Sequence, residues 1–229
     1  MNSIFCGIEK LSLVDFDGYI SCTLFTSGCN YRCPFCHNSP LIEEQPSLQM
    51  EEILNYLSVR KKMLDAVVIT GGEPTLHKEL PSVLKQIKDL GYIIKLDTNG
   101  TNPKMLKELI DKKLIDYVAM DIKASSNCYS LVTGVINPFL DNIKESINIL
   151  KTSNINFEFR TTLVKEFHSL DSINEMKELV SGSKKLYLQK FVLRDTCLNQ
   201  KLHEVDLETA KCYKSILEEV VEKVTLRGY

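Results

Sequence analysis

Apolar positions along this chain alternate between two spacings: short β-branched runs, and stripes recurring every three or four residues. The β-branched or alternating runs fall at residues 20–25, 66–70, 92–97, 116–120, 155–163 and 185–190, and each predicts a strand. Between them lie Met50, Ile53, Leu54 and Leu57, then Leu80, Val83, Leu84 and Ile87, then Met105, Leu106, Leu109 and Ile110. Leu140, Ile143, Ile147 and Leu150 follow, and each set marks a helix with one apolar face. Boundary residues predict Ser47 as the first N-cap, Gly91 as a stop, Pro103 at a first helical position, and Asn137-Pro138 as an opening. Asp171 is expected to cap the helix running through Val180, and Asp206 to begin a last helix. Ile4 to Leu13 predicts a short ribbon, Asp15-Phe16-Asp17-Gly18 a turn, and Val224 to Leu226 a closing strand.

Strand–helix alternation on this scale implies parallel strands joined by crossover helices, either a doubly wound sheet or an incomplete barrel. In the fifth run, Asn156, Glu158 and Arg160 alternate with Ile155, Phe157 and Phe159. Two charged side chains are costly inside a packed sheet and useful in a partly open lumen, which favours an α/β partial barrel of six units. No linker interrupts it, so the expectation is one domain: residues 1–19 a cover strip, 20–200 the barrel, 201–229 a C-terminal helix and tail.

Composition changes this picture little. Hydrophobic residues make up 44% and charged residues 25% of 229, ordinary for a globular protein. A net charge of -2 gives no electrostatic case for nucleic acid or an anionic membrane surface. No apolar run is long enough to span a bilayer and no cationic leader is visible, so the expected location is the cytoplasm, where eight cysteines stay reduced.

Candidate chemistry concentrates in Cys29-Asn30-Tyr31-Arg32-Cys33-Pro34-Phe35-Cys36-His37, a loop that Gly28 lets leave the first strand sharply. Three thiols so close can wrap one iron–sulfur cluster while leaving one iron open for chemistry. The Cys33–Cys36 spacing also suits half a zinc knuckle or a thiol redox pair, although the remaining Cys128, Cys197 and Cys212 are scattered. Cys6, Cys22, Cys128, Cys197 and Cys212 read as small hydrophobes. Gly71-Gly72-Glu73-Pro74 is by itself a strand-ending turn. His37 reads as a supporting group rather than a ligand.

Cys29-x-x-x-Cys33-x-x-Cys36 together with Gly71-Gly72-Glu73-Pro74 resembles the radical S-adenosylmethionine (SAM) superfamily. Leu96-Asp97-Thr98-Asn99-Gly100 and Asp121-Ile122-Lys123 narrow the likeness to activating enzymes of glycyl radical enzymes, those of anaerobic ribonucleoside-triphosphate reductase among them. The resemblance runs from about Gly18 to the end and implies a (β/α)6 partial barrel with chemistry at the C-terminal ends of its strands. It implies a [4Fe-4S] cluster on Cys29, Cys33 and Cys36, with SAM chelating the open iron and cleaved by one electron to methionine and a 5′-deoxyadenosyl radical. Phe35 would flank the adenine, and the backbone of Gly71, Gly72 and Glu73 would meet the SAM amino group, glycine being needed because a side chain would block the approach. Asp97, Thr98, Asp121 and the Ala119 carbonyl would hold a sodium or potassium ion, since two acids beside a bound carboxylate repel it unless a cation intervenes. Lys123, then Arg160, would neutralise that carboxylate. Where some relatives carry a histidine after the sixth strand, this chain has Phe191, and Gln189 is the substitute.

The implied partner is a glycyl radical enzyme such as anaerobic ribonucleotide reductase. No second cysteine-rich insert lies between His37 and Val67, so flavodoxin or ferredoxin would supply electrons. Radical chemistry on a small molecule or peptide, and a non-catalytic iron–sulfur or zinc module, are the other readings. The terminal Leu226-Arg227-Gly228-Tyr229 also looks like the target loop of such partners, which suggests a substrate mimic.

Overall fold

The computed structural model describes residues 3–229. Eight strands fall in sequence order in one sheet: β1 (Phe5–Ser12), β2 (Ser21–Thr26), β3 (Ala66–Gly71), β4 (Ile93–Thr98), β5 (Tyr117–Asp121), β6 (Asn156–Leu163), β7 (Lys185–Lys190) and β8 (Lys223–Arg227). The β1–β2 pair is antiparallel, whereas β2–β3, β3–β4, β6–β7 and β7–β8 are parallel. Strands β2 to β7 are the six predicted from the apolar runs, β1 is the predicted ribbon, and β8 is the predicted closing strand. The fold is thus α/β with a mostly parallel sheet.

The chain divides into two compact units interleaved in sequence. The first comprises residues 1–30, 40–98 and 102–118 and holds β1 to β4, α1 (Met50–Arg60), α2 (Leu80–Asp89) and α3 (Pro103–Asp111). Val67, Ile69, Ile94 and Leu96 are buried, as are the helix stripes Ile53 and Leu57, then Leu80, Val83, Leu84 and Ile87, then Leu106 and Leu109. Continuous apolar strands of this kind are what a sheet covered by helices needs. The turn at residues 15–18 does more than reverse the chain: it buries Phe16 against Ala66 and Val68 and presents Asp15 to the Thr23 hydroxyl at 2.6 Å. Ser47 is not the N-cap of α1. Gln49 precedes the helix, and the Ser47 hydroxyl instead donates to the Cys6 carbonyl, anchoring β1.

The second unit comprises residues 31–39, 99–101 and 119–229, with α4 (Tyr129–Thr133), α5 (Leu140–Thr152), α6 (Leu170–Val180), α7 (Leu207–Leu217) and β6 to β8. Phe159, Leu163, Leu186 and Leu188 are buried, as are Ile143 and Leu150 of α5 and Ile173, Met176 and Val180 of α6. Asp206 caps α7 as predicted, accepting from Thr209 N, and in the first unit Pro103 opens α3 as predicted, behind an Asn102 cap that accepts from Met105 N. The cap of α6 is Ser169, in a reciprocal box with Ser172, with Asp171 inside the first turn. Asn137-Pro138 does not open α5 directly: Asn137 accepts from Phe139 N, and Phe139 sits at φ 56° immediately before the helix. The short α4 carried no apolar stripe to announce it.

Candidate functional site

Residues marked by their motifs leave the C-terminal ends of β2, β3, β4 and β5, as a parallel sheet with active loops requires. In the first unit, Gly28 adopts φ 75° as the chain leaves β2, and Cys29 follows. Gly71 has φ 121°, and a Cβ there would overlap the backbone of Thr26. A Cβ on Gly72 would overlap the Gly28 carbonyl oxygen. These glycines are therefore required by backbone-to-backbone contact with the start of the cysteine loop, a reason different from ligand access. Gly72 N donates to Thr26 O at 2.9 Å and Glu73 N to Gly28 O at 2.8 Å.

The Glu73 carboxylate is buried and accepts from Thr75 N at 3.1 Å and from the Thr98 hydroxyl at 2.7 Å. Glu73 and Thr98 thus latch the ends of β3 and β4 to each other. Asp97 lies 3.6 Å from the ammonium of Lys95, a buried lysine that also donates to Asp15 O at 2.5 Å. Periodicity placed Lys95 in a strand without revealing that its amine is buried.

In the second unit, residues 31–39 are gripped from two directions. On one side Arg32 N donates to Thr133 O at 2.8 Å and the Tyr31 hydroxyl donates to Pro138 O at 2.7 Å. On the other, the segment after β7 supplies four contacts. Asn199 N donates to Pro34 O at 2.9 Å, and the Cys197 thiol lies 3.8 Å from Phe35 O. His37 Nε2 donates to Val192 O at 2.7 Å, and the Ser39 hydroxyl donates to Thr196 O. Phe191 is fully buried and stacks on His37, ring centroids 6.0 Å apart. Cys197 is buried as read from the sequence, and its thiol and the Phe191 ring both pack against the cysteine loop. Nothing in the local sequence signalled this strap, because its partners are about 160 residues away.

The electrostatic centre of this unit is Asp121. Lys123 Nζ lies 2.8 Å from one carboxylate oxygen and Arg160 Nε 3.0 Å from the other. Burial would raise the Asp121 pKa, but Lys123 and Arg160 outweigh it and hold the group down at about 2. Burial likewise opposes a charge on Lys123, yet Asp121 and the Cys33 and Cys36 thiols together raise its pKa. Burial pushes the Cys36 thiol up, and Lys123 is the first influence opposing that. The Lys123 ammonium also lies 5.9 Å from the Phe35 ring centre. Asp121 is thus paired with two cationic side chains, one on each carboxylate oxygen.

Beside it, Arg160, Tyr187, Gln189 and Arg227 occupy one face of β6 to β8, with Arg160 opposite Tyr187 and Gln189 opposite Arg227. Glu158, only 4% exposed, lies 3.9 Å from Arg227, whose guanidinium stacks 4.0 Å over Tyr187. The polar face read from the fifth strand is real, and its charges are compensated. Arg227 is the last residue of β8 and is held by these contacts.

Donor chemistry at the cysteine loop fits an iron–sulfur cluster. No disulfide engages Cys29, Cys33 or Cys36, three thiols within eight residues, and the Lys123 ammonium opposes the burial that raises the Cys36 pKa. Among the described residues no three His, Cys, Asp or Glu side chains gather to hold one metal ion. A cubane binds each thiolate through a separate iron and does not ask for such a convergence.

Comparison with known proteins gives a consistent picture. Residues 23–180 match the family profile of the Radical SAM superfamily. A Methanocaldococcus jannaschii protein provisionally named a glycyl-radical enzyme activating enzyme is 34% identical over 200 residues, covering 85% of this chain and 82% of its own. A Thermococcus kodakarensis protein provisionally named a GTP 3′,8-cyclase is 26% identical over 206 residues, 80% of this chain and 65% of its own. Among solved structures, SuiB of Streptococcus suis bound to its precursor peptide superposes with a TM-score of 0.70 at 16% identity, covering 89% of this chain and 48% of SuiB.

Proposed function

The chain belongs to the radical SAM superfamily, an enzyme family of oxidoreductases that implies a [4Fe-4S] cluster and SAM, and from that premise we propose that it activates a glycyl radical enzyme. The single observation that carries the finer reading is the 34% identity to the M. jannaschii relative over most of both chains. In this reading Cys29, Cys33 and Cys36 hold the cluster. When bound, cluster and SAM supply a one-electron cleavage of the sulfonium C–S bond, and hence a radical able to take a hydrogen atom from a glycine Cα.

The residues of this chain bind and orient. With the amides of Gly72 and Glu73 committed to Thr26 and Gly28, and Glu73 O accepting from Leu76 N, the segment Gly71-Gly72-Glu73 would meet the donor groups of the SAM amine through backbone carbonyls, that of Gly72 first. Lys123, held charged by Asp121, meets the SAM carboxylate, with Arg160 behind it sharing the same Asp121. Phe35 offers an aromatic face to the adenine, and Gln189 a polar contact to the adenosine. Asp97 and Thr98 shape the floor after β4; a sodium or potassium ion there is a lesser part of the proposal. A flavodoxin or ferredoxin supplies the electron, and anaerobic ribonucleoside-triphosphate reductase is the first partner to test.

The test is electron paramagnetic resonance of a candidate partner incubated anaerobically with the reconstituted protein, SAM and reductant. A glycyl doublet on the partner supports the reading. Cleavage of SAM with no doublet on any glycyl radical enzyme favours the second reading, chemistry on a small molecule, which the 26%-identical cyclase motivates.

A further inference from the structure

We propose that His168 and Tyr129 are positioning residues that fix Lys123, and the proposal rests on the reading above that Lys123 meets the SAM carboxylate. Lys123 lies two residues beyond the end of β5, where the sheet no longer satisfies its backbone. Two buried side chains do so instead. Lys123 N donates to the Tyr129 hydroxyl at 3.1 Å, and His168 Nε2 donates to Lys123 O at 3.2 Å. The two contacts sit on opposite sides of the same Cα, so both torsions of Lys123 are held.

His168 is fixed in turn. Val164 N donates to His168 Nδ1 at 3.0 Å, and the Tyr213 hydroxyl donates to His168 O at 2.6 Å. Nδ1 also lies 3.1 Å from Val164 O, but that oxygen already accepts from Phe167 N and His168 N. A proton on Nδ1 would face Val164 N–H and set the Nε2 lone pair against the Lys123 carbonyl, so the neutral ring carries its proton on Nε2. Burial lowers the His168 pKa, which favours that neutral ring. His168 is 2% exposed and Tyr129 fully buried. Burying such polar rings is costly unless their hydrogen bonds are made, and here they converge on one lysine.

Lysine is a point charge on a flexible four-carbon stem, and its ammonium stays where it is needed only if stem and backbone are both restrained. Asp121 restrains the ammonium, at 2.8 Å. His168 and Tyr129 restrain the backbone. Loss of either should let the ammonium follow Asp121 away from its bound anion, weakening binding without disturbing the cysteines.

The experiment compares His168→Phe, His168→Gln, Tyr129→Phe and Lys123→Met, each anaerobically reconstituted. Iron and sulfide content, the SAM dissociation constant, and KM and kcat for 5′-deoxyadenosine formation are measured. The ¹⁵N spectrum of His168 is recorded on the unsubstituted protein. The expected spectrum is that of the neutral Nε2–H tautomer. His168→Phe and Tyr129→Phe should raise the SAM dissociation constant and KM by about tenfold, the size of one hydrogen bond, with iron content and kcat within about twofold. His168→Gln, whose amide can still donate, should recover most of the affinity. If Lys123→Met loses SAM and the two ring variants do not, the positioning proposal is overturned and the role of Lys123 stands. If Lys123→Met binds and cleaves SAM normally, the role of Lys123 falls, and the positioning with it. Should His168→Phe fail to fold, Tyr129→Phe, which removes a single oxygen, decides alone.

Discussion

A methyl group added at Gly72 runs into the Gly28 carbonyl, whereas one added at Gly182 meets nothing within 4 Å. Both sites favour glycine, for separable reasons. Gly72→Ala must displace backbone at the start of the cysteine loop and should cost more than about 3 kcal/mol. Gly182→Ala should cost only the left-handed backbone at φ 75°, about 1 kcal/mol. Denaturant midpoints of the two variants measure the difference. Asp121 provides a pH test. Its folded pKa of about 2 lies below the ordinary 3.8, so its contribution to stability is full above 3.8 and lost as pH falls through 2. Asp121→Asn should lower stability at neutral pH by about 3 kcal/mol, by stranding Lys123 and Arg160. It should also flatten the acid limb, as urea titrations across that range would record. At this scale the sequence marked residues whose packing role only the structure displays. The family resemblance marked Gly71, Gly72, Glu73 and Thr98, but a string of residues does not reveal that the Thr26 and Gly28 backbone and the Thr98 hydroxyl crowd around Gly71, Gly72 and Glu73.

Strands and helices with strong periodicity were legible, because alternation and the three-to-four spacing follow from local geometry alone. The connections were not. The strap after β7 touches Pro34, Phe35, His37 and Ser39 through contacts that span roughly 160 positions and follow no period. Phe191 looked like a missing histidine, and is instead the ring on which His37 stacks. This strap predicts a specific weakness. His37→Ala removes both the bond to Val192 and the stacking, so a chelator should strip iron from the reconstituted variant several times faster than from the parent. Melting temperature should fall by only a few degrees, because the loop is also held by Thr133 and Pro138. Iron loss at the parental rate would show that the strap is dispensable.

At the scale of the molecule, alternating strands and helices specified an α/β fold with a mostly parallel sheet, and β8 completed the order. The polar face of β6 to β8 was visible only in part, since Tyr187 and Arg227 join Glu158 and Arg160 through strand register. Among the described residues no helix is long and apolar enough to cross a membrane. All proposals for catalysis come back to one chemical claim: three thiols carry a cluster whose remaining iron is left for SAM. The most direct measurement is product analysis after anaerobic reconstitution, with SAM and dithionite added and the partner left out. The protein should release methionine and 5′-deoxyadenosine in equal amounts, and Cys29→Ala, Cys33→Ala and Cys36→Ala should each release none. A fully loaded protein that leaves SAM intact, or a cysteine variant that cleaves it undiminished, would contradict the account.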